Sequence, residues 1–116
     1  MLYSFCSQPH CADGDQPEGG LIKDADGLFY GMTAFGGNNL NCHLNNGSCG
    51  TIFSLNAKTG VETVLHTFPG GRKGEIPTGW LATDDSGDLY GTTEFGGNMK
   101  KCPYADGCGF VFALKK

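Results

Sequence analysis

The stretch Asp84-Asp85-Ser86-Gly87-Asp88-Leu89-Tyr90-Gly91-Thr92-Thr93-Glu94-Phe95-Gly96-Gly97-Asn98 decides how this chain folds. Asp and Ser side chains bond to nearby backbone, and Gly takes positive φ, so residues 84–88 form a turn. Leu89–Thr93 is rich in β-prone residues and precedes a second turn at Gly96-Gly97-Asn98. The same pattern stands sixty residues earlier, as Asp24-Ala25-Asp26-Gly27-Leu28-Phe29-Tyr30-Gly31-Met32-Thr33-Ala34-Phe35-Gly36-Gly37-Asn38. Upstream, Pro17, Gly19 and Leu21 match Pro77, Gly79 and Leu81. Downstream, Cys42 and Gly47 match Cys102 and Gly107. After one deleted residue, Cys49, Gly50, Phe53 and Leu55 match Cys108, Gly109, Phe112 and Leu114. Agreement at Gly, Cys, aromatic and apolar positions marks a duplicated structural unit.

Working outward, Thr51–Leu55 and Val61–Phe68 alternate roughly in period two and flank the Asn56–Gly60 loop, a second hairpin. A shorter echo lies at the start, where Met1-Leu2-Tyr3-Ser4-Phe5 matches Val64-Leu65-His66-Thr67-Phe68. The expected fold is all-β: two tandem four-stranded antiparallel units resembling β-propeller blades, with Gly-rich, disulfide-closed loops. Residues 1–60 form the first repeat and 61–116 the second, with the Leu2–Phe5 and Phe110–Leu114 strands as complementary halves of one hairpin.

Composition agrees. The 116 residues include 20 Gly, which disfavours a helical bundle. Hydrophobic content of 39% excludes intrinsic disorder. A net charge of −4 and a pI near 5.1 speak against a nucleic-acid partner, and no apolar window is long enough for a membrane span.

Leu89–Gly97, Cys108-Gly109-Phe110-Val111-Phe112-Ala113-Leu114 and Thr59–Phe68 together resemble the GloVer-type tandem repeats of bacterial, secreted, choice-of-anchor proteins. The resemblance covers nearly the whole chain. It implies an extracellular or cell-surface, β-rich repeat protein and carries over no catalytic residue. Members of that family string together more copies than two, so closure of one chain into a complete propeller is not implied.

Six cysteines fall into three close pairs, Cys6/Cys11, Cys42/Cys49 and Cys102/Cys108, read as disulfides formed in an oxidising compartment. Each closes a very short loop and contributes less than the ~3 kcal/mol of a 15-residue loop. The rival reading is zinc, with His10 and His43 beside cysteines, but no C-x-x-C knuckle is present and Pro103 replaces His43 in the second copy. No metal or other cofactor is expected. His66, matched by Tyr3, reads as a half-buried strand residue.

No catalytic constellation emerges. Asp24 and Asp26, like Asp84, Asp85 and Asp88, are explained by turns rather than by calcium or by a glycosidase acid pair. Asn46-Gly47-Ser48 is a candidate glycosylation sequon. Trp80, Tyr30 and Tyr90 are candidate glycan-stacking residues, weighed against packing between sheets.

The first residues carry no secretory signal, and Met1 aligns with the strand residue Val64, so the chain reads as a trimmed part of a longer precursor. Leu2, Tyr3 and Phe5 at one end, and Phe110, Val111, Phe112 and Leu114 at the other, are expected to pair between molecules. The leading expectation is therefore a secreted structural protein that self-assembles head to tail into a fibre or ring. A carbohydrate-binding module is the alternative, and a fragment of a polysaccharide-active enzyme comes third.

Overall fold

The computed structural model describes residues 1–38, 49–70, 75–98, 100–104 and 107–116. Among them the only helical element is a short 3-10 turn at Pro9–Cys11, and the rest of the regular structure is strand. Four strands, β1 (Asp15–Lys23), β2 (Leu28–Phe35), β3 (Thr51–Asn56) and β4 (Glu62–Thr67), form one antiparallel meander. Three more, β5 (Glu75–Thr83), β6 (Leu89–Phe95) and β7 (Val111–Leu114), form a second. The protein is all-β, as the repeat predicts, but its second sheet has three strands rather than four.

The hairpin turns are built as their sequences dictate. Asp24 Oδ1 accepts the backbone N–H groups of Asp26 and Leu28 at 2.9 and 3.0 Å, while Oδ2 accepts the Tyr30 hydroxyl at 2.7 Å. Asp84 repeats the arrangement with Ser86 (3.0 Å), Asp88 (3.1 Å) and Tyr90 (2.8 Å). Each aspartate therefore serves its own hairpin, and the tyrosine six residues on, in the next strand, locks it there. At the third hairpin, Asn56 Oδ1 caps Lys58 and Thr59 at 3.0 and 3.2 Å. Thr33 and Thr93 donate to the carbonyls of Phe35 and Phe95, each at 2.8 Å, and accept the N–H groups of Thr51 and Phe110 at 3.1 and 3.2 Å. These two threonines tie the long Cys loops' return strands into register.

The sheets stack face to face. Met32, Ile52, Ile22 and Tyr30 of the first meet Leu81, Leu89, Phe112 and Leu114 of the second, with Phe68 from the connection between them. Both β1 and β5 carry a bulge at the same repeat position, with register shifts between Glu18 and Ile22 and between Thr78 and Ala82. The bulge glycines Gly19 and Gly79 adopt φ of +75° and +79° and bring the two strands together. A Cβ on Gly19 would lie 1.8 Å from the Gly79 carbonyl oxygen, and one on Gly20 would lie 2.0 Å from the Trp80 ring. Glycine is thus the one residue that permits this approach.

Leu2–Phe5 forms no strand in the single chain, in contrast to the sequence reading. An extended segment becomes a strand only with a ladder partner. Here Cys6 turns the chain at φ +60° and donates its N–H to the Gly14 carbonyl at 3.0 Å. Side chains, not a ladder, hold the segment down. The disulfides Cys6–Cys11 and Cys102–Cys108 are formed as the pairing predicts. Cys49 is fully buried, while Cys42, His43 and the Asn46 sequon lie outside the described residues. No helix among the described residues is long and apolar enough to cross a membrane.

Candidate association surface

Three features face outward from this scaffold. The first is the outer edge of β7, which among the described residues pairs with no further strand. In the first sheet the equivalent strand, β3, is covered by β4 through pairs such as Ile52 with His66. In the second sheet the order ends at β7, and its Val111, the match of the fully buried Ile52, is 75% exposed. Phe112 and Leu114 point the other way, into the junction between the sheets. The expected assembly residues of this strand therefore divide by alternation, Val111 outward and Phe112 and Leu114 inward.

The second feature is the outer face of the second sheet. Trp80 sits on the β5 bulge, one side of its ring against Gly20, and is 69% exposed. Thr92, Ala82 and Glu94 share that exposure. Tyr90 does not offer a free phenol, since its hydroxyl is committed to Asp84, and Tyr30 is held by Asp24 in the same way. The bond that Tyr30 donates to Asp24 raises its hydroxyl to about 12, with partial burial adding to it. Of the three candidate glycan-stacking residues, Trp80 alone is exposed, while Tyr30 and Tyr90 are half-buried.

The third feature is an apolar groove of about 380 Å³ on the far face of the first sheet. Leu21, Phe53 and Leu55 form its floor, and the N-terminal Leu2, Tyr3 and Phe5 form its wall. Phe5 packs edge-on against Phe53, with ring centroids 4.8 Å apart. Tyr3 donates its hydroxyl to Asp13 Oδ2 at 2.7 Å, and Asp13 also accepts the backbone N–H groups of Ser7 (3.0 Å) and Gln8 (3.1 Å). Burial works to raise the Asp13 carboxyl, but these three bonds outweigh it and hold the group below the usual carboxylate range. Burial, then the bond to Asp13, raises the Tyr3 hydroxyl. Glu62 of β4 stands near this cluster with Oε2 buried and without a hydrogen-bond partner; burial, then the Asp13 charge, pushes its carboxyl up to about 7.

Leu21, Phe53, Asp13 and Glu62 are not among the site residues that the sequence offers. The groove residues were nevertheless visible through the repeat, since Leu21, Phe53 and Leu55 match Leu81, Phe112 and Leu114. Among the described residues no group of three or more His, Cys, Asp or Glu side chains gathers as metal ligands would. Compared with protein-family models, with curated proteins and with solved structures, the chain matches none.

Proposed function

We propose that this is an extracellular structural repeat protein, akin to GloVer-type repeats, whose two sheets are propeller-blade-like units and whose copies join head to tail by strand complementation. The observation that carries this reading is the bare β7 edge. Among the described residues its counterpart β3 is paired on both sides whereas β7 is paired with β6 alone, and Met1–Phe5, which match Val64–Phe68, belong to no strand. An unpaired edge is a template for a further strand. A contact between two different surfaces repeats from copy to copy and gives a ring or a fibre. Disulfides in a small β-rich chain support the oxidising compartment.

Sedimentation velocity over a concentration series, with negative-stain imaging, tests the reading. Growing oligomers are expected, and Val111→Pro, which removes an outward N–H from the β7 edge, should abolish them. A monomer at every concentration would sink the proposal. The exposed Trp80 ring favours a second reading, a carbohydrate-binding module, which glycan-array binding lost in Trp80→Ala would support.

A further inference from the structure

The junction between the two sheets is a template for the junction between two molecules. Within the chain, the second sheet offers Leu81, Phe112 and Leu114, with Phe68 beside them, to the Ile22, Met32 and Ile52 face of the first. The matching offering face on the first sheet is Leu21, Phe53 and Leu55, with Phe5 beside them, which is the empty groove. The matching receiving face on the second sheet is Ala82, Thr92 and Val111, which is exposed.

We infer that the outer face of the second sheet of one molecule seats in the N-terminal groove of a second copy, reproducing the internal junction; this rests on the head-to-tail reading above. The register follows from the internal ladder. Ile52 pairs with His66 and Thr51 with Thr67, so Val111 pairs with the second copy's Tyr3, and Phe110 with its Ser4. The bulges fit as well. Inside the chain Gly20 receives the Trp80 ring; between copies the same two residue types meet with roles exchanged, Trp80 facing the second copy's Gly20.

Two features make the intermolecular junction weaker than its template. Ala82, Thr92 and Val111 are smaller or more polar than Ile22, Met32 and Ile52, so less apolar surface is removed from water. Glu94 stands where the first sheet has Ala34, which is 1% exposed, so docking takes a carboxylate toward a face built for a methyl group. The face thus associates reversibly, and restoring the first sheet's residues strengthens it.

The test measures the self-association constant by sedimentation while following Trp80, the chain's single tryptophan, whose emission shifts to the blue as its open ring face leaves water. Glu94→Ala combined with Val111→Ile is expected to tighten association about tenfold or more, and Leu21→Asp, at a half-exposed groove position, to weaken it by a similar factor. Far-ultraviolet circular dichroism checks that each variant is folded. If the wild-type chain associates but these variants leave the constant within about twofold, or Trp80 emission stays fixed, the face pairing is overturned while edge complementation survives. If the wild-type chain never associates, both fall.

Discussion

Phe68 meets Phe112 across the two sheets edge-on, ring centroids 5.1 Å apart at 64°, and Phe5 meets Phe53 in the same way at 4.8 Å and 62°. The residue two places ahead joins in both cases: His66 lies edge-on to Phe68 at 4.8 Å, and Tyr3 to Phe5 at 5.1 Å. Residues that match in sequence therefore make matching ring contacts, as well as matching bonds within each sheet.

The two pairs differ in burial, and so in cost. Phe68 is 2% exposed, and Phe68→Ala should destabilise the fold by about 3–5 kcal/mol. Phe5 is half-buried at the groove wall, and Phe5→Ala should cost about half as much. Denaturant unfolding of the two variants checks the ratio; equal losses would contradict the difference in packing.

Gly19 and Gly79 occupy the same bulge with the same sign of φ, but their surroundings differ. A Cβ on Gly79 would meet nothing within 4 Å, whereas one on Gly19 would collide with the Gly79 carbonyl. Gly79→Ala should therefore cost only the backbone strain of about 1 kcal/mol, and Gly19→Ala clearly more. Thermal melts of both variants decide it, and the reverse order would mean the strands can part at no cost.

Glu62 sets a pH dependence. Its folded-state pKa of about 7 lies above its ordinary 4.5, so the stability it contributes is complete below about 4.5 and is lost as pH rises to 7 and beyond. With its partial exposure discounted, the change is on the order of 1 kcal/mol. His66 on the same strand works oppositely: burial lowers its pKa, so its contribution is present above about 6.5 and lost as pH falls through the lowered value. Glu62→Gln should flatten the melting temperature between pH 4.5 and 7 and raise it at pH 7.5. An unchanged profile would place Glu62 in solvent.

Asp24 and Tyr30 titrate against each other. The Tyr30 bond holds the Asp24 carboxyl low, so its contribution is present above about 3.8 and lost as pH falls through the depressed value. The raised Tyr30 hydroxyl contributes below about 10 and loses that contribution as pH rises through about 12. Asp24→Asn should return one tyrosinate absorbance step toward the ordinary range, and Asp84→Asn a second, through Tyr90. A titration curve identical to wild type would rule out both clamps.

Much of this was legible because it is local. Asp24 and Asp84 announce their turns by type and spacing, and the Cys6–Cys11 and Cys102–Cys108 bridges by proximity. The likeness of Leu2–Phe5 to Val64–Phe68 predicts a strand, but strand identity depends on a ladder partner, which sequence likeness does not supply. Asp13 is held by Tyr3, and nothing in the intervening residues signals that bond. Trp80 stands sixty residues after Gly20, at the same place in the repeated pattern, yet only the bulge at Gly79 shows that the two residues touch.

The meander has a kinetic consequence. Among the described strands every ladder joins neighbours in sequence, so the long loop closures either seat the N-terminal segment on the first sheet, as where Phe5 meets Phe53, or bring one sheet onto the next, as where Gly19 meets Gly79. The latter separation is a single repeat period and would stay so however many units were strung together. An array of such units can lengthen without any one of its contacts becoming slower to form.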